Sequence, residues 1–216
     1  MIHFEQIIEG LNLRPKEGFF GHSSVVLIQD GDKNILVDTG GYGVRAILVE
    51  KLRNIPIHKV FLSHLHFDHC ANISLFKDAE IYVHEKELGS LNDSNSIYSD
   101  FNEFIKTSLD KLRIISFDAD INISENTRTV HTPGHTVGHT SLEVLAQDKK
   151  TVVAGDAIET YQEYLNDDYK TVAYDMDLYR QSRLMLKENF EVIVPGHSSI
   201  IDGGALVNST FNLKHF

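Results

Sequence analysis

Along this chain, apolar runs of four or five residues alternate with longer stretches in which apolar positions recur every three or four residues. The short runs at 34–37, 58–62, 80–83, 151–154 and 191–194 read as buried strands. Two hairpins are also legible. "SSVVLIQDGDKNILVDTG" (23–40) and "TSLEVLAQDKKTVVAGD" (140–156) each give strand, polar turn and strand, and each ends on an aspartate, Asp38 and Asp156. Helical spacing predicts three helices. One spans 42–53, with Val44, Ile47, Leu48 and Leu52 on one face. A second spans 96–112, carrying Ile97, Phe101, Phe104, Ile105, Leu109 and Leu112. A third covers 175–189 and has acidic residues in its first turn, where the helix dipole favours them. Strands and helices mixed in this order predict an α/β sandwich, sheets inside and helices outside.

No Pro- or Gly-rich linker interrupts the pattern, so residues 1–216 read as a single domain. With 42% hydrophobic and 24% charged residues the composition is that of an ordinary globular protein. No apolar run nears the ~20 residues that span a bilayer. "MIHFEQIIEG" lacks the basic start and apolar core of a signal peptide. The single cysteine, Cys70, admits no internal disulfide and suits a reducing compartment, so the expected location is cytoplasmic. A net charge of −11 is a poor field for a phosphate backbone; neither nucleic acid nor membrane is an expected partner.

Histidine changes the picture. Twelve occur, three of them in 64–69 and three in 131–139. "FLSHLHFDHC" (61–70) places His64, His66, Asp68 and His69 just past an apolar run; by itself it can also be read as a histidine-rich polar turn. Three further strands run into polar tips: "TRTVHTPGHT" brings His135, "TVVAGD" Asp156 and "EVIVPGH" His197. Strand ends in one sheet can aim side chains at a common point. A closed structural zinc site needs four ligands, so five imidazoles and two carboxylates argue for two ions. The donors are all nitrogen or oxygen, which suits zinc first, with iron or manganese as alternatives.

"SHLHFDH" matches the H-x-H-x-D-H signature of the metallo-β-lactamase superfamily, and "TPGHTVGHTSL", "VAGD" and "VPGH" resemble its later ligand motifs in the same order. Together they touch residues 22–200. The resemblance implies a four-layer αββα sandwich of two pseudo-symmetric halves. It also implies that His64, His66 and His135 bind one metal, that Asp68, His69 and His197 bind a second, and that Asp156 bridges them. Asp68 and Asp156 are then the catalytic carboxylates, with Asp68 a possible proton acceptor. Asp38 would orient a ligand imidazole from behind, and His22 and Glu159 would line the pocket. Water shared by two cations ionises near neutral pH, and the resulting bridging hydroxide can attack an electrophilic carbon or phosphorus.

Among branches of the superfamily, a glutamate in place of His66 would mark flavodiiron redox enzymes; nucleases and glyoxalase II-like thioesterases carry additional segments that are not expected here. The motifs resemble acyl-homoserine-lactone hydrolases, except that Glu159 stands where those enzymes carry a tyrosine. "GDAIE" and "LFKDAEIYVH" are similar to small metallo-β-lactamase-domain proteins. The expected function is therefore a dinuclear hydrolase of a small-molecule lactone or thioester, neutral substrates being favoured by the Glu159 carboxylate. Alternatives are a mononuclear iron persulfide dioxygenase, a phosphodiesterase or nuclease of the same fold, and a metal-binding protein without turnover. Segment 85–112 is where a pocket wall is expected, with Tyr98, Phe101 and Phe104 lining it, packing on their own helix or facing a homodimer partner. His139 is expected to hold its loop, and Cys70 to pack.

Overall fold

The computed structural model describes residues 2–92, 99–145, 149–166 and 173–207. One sheet contains β1 (Ile2–Ile8), β2 (Val25–Asp30), β3 (Lys33–Val37), β4 (Lys59–Phe61), β5 (Glu80–His84) and β6 (Arg113–Phe117), in that order. The first three strands pair antiparallel and β3 to β6 parallel. In the second sheet the order runs from β13 (Ala205–Leu206) and β12 (Ile201–Asp202) through β11 (Val192–Pro195), β10 (Thr151–Gly155), β9 (Thr140–Val144) and β8 (Thr127–His131) to β7 (Asn122–Ser124). Among the described residues, only β10 and β11 pair parallel there. The helices are α1 (Arg45–Lys51), α2 (Phe67–Cys70), α3 (Glu85–Ser90), α4 (Ser99–Leu109), α5 (Tyr161–Leu165) and α6 (Met176–Asn189).

Alternation within strands builds the layers, because successive side chains leave a strand on opposite faces. Val26, Ile28, Ile35, Val37, Phe61 and Tyr82 of the first sheet meet Leu142, Val153, Val192 and Val194 of the second in a core between the sheets. Their neighbours Val25, Leu27, Leu36, Val60, Ile81 and Val83 face the other way, onto Leu48 of α1 and Ile105 and Leu109 of α4. Val152, Ala154 and Ile193 likewise cover Leu186 of α6. Strands buried on both faces need apolar residues at every position, which is why they read as continuous runs. Each such side chain contributes roughly 1.5–3 kcal/mol on burial. The result is two packed sheets with helices outside, the αββα order.

Several elements differ from the sequence expectation. The helix expected over 96–112 stops at Leu109, and Arg113–Phe117 continues the sheet as β6. Residues 96–98, with Ile97 and Tyr98, lie outside the described residues. Strands β1, β6, β7 and the short β12–β13 pair were not anticipated. At 42–53 the chain opens with a 3-10 turn over Tyr42–Val44 before α1. Val44 and Leu48 are buried, but Ile47 is 52% exposed, because the tighter first turn rotates it off the packed face. Among the described residues no helix is long and apolar enough to cross a membrane.

Candidate metal centre

Asp38 starts the construction. It leaves β3 with φ 57°, the only described residue other than glycine at positive φ, a costly conformation for a side-chain-bearing residue. In that pose Oδ1 accepts from Ser63 N (2.8 Å), while Oδ2 accepts from Ser63 Oγ (2.8 Å) and lies 2.8 Å from His69 Nδ1. One carboxylate thus fixes the end of β4 and the ring of His69. His69 itself rides on α2, a single turn that begins after His66 and carries Asp68. From the second sheet, His135 follows β8, Asp156 follows β10 and His197 follows β11.

These seven side chains converge. His66 Nδ1 lies 3.0 Å from His135 Nε2, with His64 completing a triad. Asp68, His69 and His197 form another, His197 Nε2 being 3.4 Å from Asp68 Oδ2. Asp156 stands between them: Oδ2 is 3.3 Å from His135 Nε2, and Oδ1 is 3.2 Å from His69 Nε2 and 3.4 Å from His197 Nε2. A Cβ at position 196 would sit 1.8 Å from Asp156 Oδ1, so only glycine lets β11 pass behind that carboxylate.

His64 Nε2, His69 Nε2 and Asp156 Oδ1 are buried and make no hydrogen bond. Buried polar atoms rarely stay unmatched, and several aimed at one point call for a cation. The donor set, neutral nitrogens and carboxylate oxygens, fits a divalent transition metal. Burial, reinforced by the surrounding imidazoles, holds His64 well below the ordinary histidine range, and burial depresses His66 and His135 too. Metal ligands must be neutral imidazoles, so these three are ready. For His69 and His197 burial acts in the same direction, but Asp156 and its neighbouring carboxylates outweigh it and raise both. Burial would raise Asp156; His69, His197 and His135 instead hold it well below the usual carboxylate range.

The remaining singled-out residues fall in different places. For His22 it is the backbone carbonyl that matters, lying 2.9 Å from His197 Nδ1 and turning Nε2 of that ring inward. His139 Nε2 accepts from Asp156 N at 3.0 Å and its Nδ1 lies 2.9 Å from Thr132 Oγ1; burial keeps it neutral, its pKa pushed down to about 3. Cys70 is buried against the carbonyls of Leu65 and His66. Glu159 is buried, with Oε1 3.6 Å from His135 Nδ1 and Oε2 accepting from Arg14 Nη2 at 2.9 Å. Burial, then Asp156 and Glu163, push its pKa up to about 8, against the pull of Arg14.

Sequence reasoning passed over Glu87 and Arg14. Glu87, buried on α3, accepts at Oε2 from Leu65 N (3.0 Å) and at Oε1 from Thr136 Oγ1 (2.6 Å) and Gly138 N (2.8 Å). It therefore ties the loop of His64 and His66 to that of His135. No spacing rule marks it; "YVHEKEL" reads only as a helix start. Phe67, between two of the converging residues, packs against Phe101 (4.9 Å) and Tyr42 (5.1 Å), and Tyr42 meets Phe104 (5.6 Å). Phe101, Phe104 and Tyr42 remain exposed, an aromatic wall beside the centre.

A sandwich with histidines and aspartates gathered at the strand ends of both sheets defines a class, the metal-dependent hydrolases. The chain belongs to the metallo-beta-lactamase superfamily, whose sequence model matches residues 18–197. It is 31% identical to metallo-beta-lactamase domain-containing protein 1 of Xenopus laevis, over 83% of this chain and 72% of that protein. Identity to an N-acyl homoserine lactonase of Bacillus sp is 27%, over 60% of this chain and 49% of the lactonase. The fold matches that of a Thermotoga maritima protein assigned to the metallo-beta-lactamases: TM-score 0.74 and 21% identity, covering 93% of this chain and 99% of the other.

Proposed function

We propose that the protein is a dinuclear zinc hydrolase of a small-molecule ester-like bond, a lactone or thioester. His64, His66 and His135 hold one ion, Asp68, His69 and His197 the other, and Asp156 serves both. The observation that carries this reading is the split carboxylate of Asp156, one oxygen facing His135 and the other facing His69 and His197. A mononuclear iron site would leave a complete Asp68–His69–His197 triad without a task.

When bound, the ions supply Lewis acidity, letting water ionise near neutral pH and holding negative charge as it develops on a substrate oxygen. The chain does the rest. Asp38 keeps a proton on Nδ1 of His69, and the His22 carbonyl does the same for His197, so each Nε2 points inward. Asp68, with a side chain 18% exposed against 5% for Asp156, is the carboxylate open to solvent and takes up the proton released in hydrolysis. The wall of Tyr42, Phe67, Phe101 and Phe104 offers an apolar surface for an acyl group. The name of the Bacillus relative supports a lactone, and the net charge of −11 disfavours nucleic acid as a substrate. The single buried cysteine is consistent with a cytoplasmic setting.

Elemental analysis of protein prepared without chelator is expected to find two ions per chain. In Asp156→Asn the count falls and turnover of a lactone and thioester panel is lost, with circular dichroism unchanged. One iron per chain after metal addition, or full loading and wild-type rates in that variant, would overturn the assignment.

A further inference from the structure

The loop between β1 and β2 packs against the centre, touching His197, Asp68 and Glu159. Leu11 and His22 exchange both backbone hydrogen bonds, N to O at 2.9 and 3.0 Å, so residues 12–21 form a hairpin-like flap. Its base is fixed to the site, because Ser23 N donates to Asp68 O (3.2 Å). Within the flap, Arg14 is held from three sides. Nε donates to Asn12 Oδ1 (3.0 Å), Nη2 donates to Glu159 Oε2 (2.9 Å), and the guanidinium carbon lies 5.2 Å over the ring of Phe19.

Those contacts locate the guanidinium relative to both triads. Glu159 faces His135 at 3.6 Å, on the side of His64 and His66. Phe19 stands edge-on to His197, ring centres 5.6 Å apart, on the side of Asp68 and His69. Arg14 therefore lies beside both groups, one side chain removed from His135 through Glu159 and one ring removed from His197 through Phe19. Its side chain is 43% exposed, so an arriving molecule can reach it.

A guanidinium has five N–H donors. Here Nε and Nη2 each make one hydrogen bond, so three of the five donors, two on Nη1 and one on Nη2, are left from which a fork toward a further acceptor can form. That fork matches a carboxylate. Glu159 and Asn12 fix its orientation beforehand, so little freedom is lost when a ligand docks. An open cavity of about 540 Å³ lies beside it, walled by Asn12, Thr160, Gln162 and Glu163 as well as the pair itself, a hydrogen-bonding surface with no large apolar residue.

We infer that Arg14 is a specificity-determining residue that receives a free carboxylate of the substrate. The substrate class is then a lactone, ester or thioester carrying a second carboxyl group, a narrower statement that rests on the hydrolase reading above. It departs from the neutral substrates expected from Glu159 alone, because Glu159 is engaged with the arginine and does not face the substrate as a free carboxylate.

The test uses the metal-loaded full chain and a matched pair of probes, mono-4-nitrophenyl succinate and 4-nitrophenyl butyrate, which differ chiefly in one carboxylate. The ratio of kcat/KM for the charged over the neutral ester is expected to fall roughly 10- to 100-fold in Arg14→Met, mostly through KM, as for losing charge-assisted hydrogen bonds. Arg14→Lys, which keeps the charge beside Glu159 but lacks the fork, should lie between. A ratio that stays within about twofold of wild type overturns the inference while leaving the hydrolase reading intact. Calorimetry with glutarate and butyrate supplies an arm without turnover. Preference for glutarate that disappears in Arg14→Met supports Arg14 even if neither ester is cleaved; no preference in the wild type, or one that survives the substitution, counts against it.

Discussion

Glu87 accepts three hydrogen bonds, one from the loop that carries His64 and His66 and two from the loop that carries His135. An amide at this position must present its NH2 to at least one of those donors. Glu87→Gln is therefore expected to leave a buried donor unmatched, at a cost of about 1–3 kcal/mol, and to loosen His66 against His135. Cobalt titration followed by visible absorption should show weaker binding at the triad of His64, His66 and His135 than at the other, by roughly 10- to 100-fold. Equal weakening of both sites would mean that Glu87 only supports the fold. The residues that converge on the centre were legible because histidine and aspartate at strand ends are chemically conspicuous. Glu87 and Arg14 were not, since a glutamate in a helix start and an arginine in a polar loop look like ordinary solvated charges until the fold brings them to the site.

At the scale of elements, α6 shows how local chemistry sets a boundary. Asp175 Oδ1 accepts from Asp177 N (2.9 Å) and Leu178 N (3.0 Å), satisfying two donors that the first helical turn cannot pair internally. Asp175→Ala should lower stability by about 1 kcal/mol, read as a shift in the denaturant midpoint at unchanged slope. No shift would mean that water satisfies those donors equally well. This helix and the doubly buried strands could be read from sequence because their periods are unambiguous. Strand β6 could not: Arg113, Ile114, Ile115 and Ser116 are exposed or half-buried in turn, and Leu112 extends the helical spacing of α4 into it. Strand β1 mixes His3, Glu5 and Gln6 with its apolar residues, and is completed only by pairing with β2.

Across the whole molecule, one contact between the sheets depends on protonation. His84 at the end of β5 stacks on His131 at the end of β8, ring centres 4.7 Å apart at 14°. Burial, then the charge of His131 and Lys86, push the pKa of His84 down from 6.5 to about 4. His84 Nδ1 accepts from Lys86 N, as only an unprotonated nitrogen can. The unfolded chain takes up this proton near pH 6.5, the folded one only near 4. The stability tied to the neutral ring is thus complete above 6.5 and disappears as pH falls to about 4. Denaturant midpoints of metal-free protein at pH 7 and pH 5 should show His84→Asn losing less on acidification than wild type. Equal losses would exclude this pair from the acid response.

The centre draws its donors from both sheets: His64, His66, Asp68 and His69 from the first, and His135, Asp156 and His197 from the second. Neither half owns a full set around Asp156, so ions held there would act as rivets across the sandwich. Binding energy at the centre is then also docking energy between the halves, by the same linkage that makes any ligand of a folded state stabilise it. A chelator would therefore act on this molecule twice, removing its chemistry and slackening the seam between its two sheets.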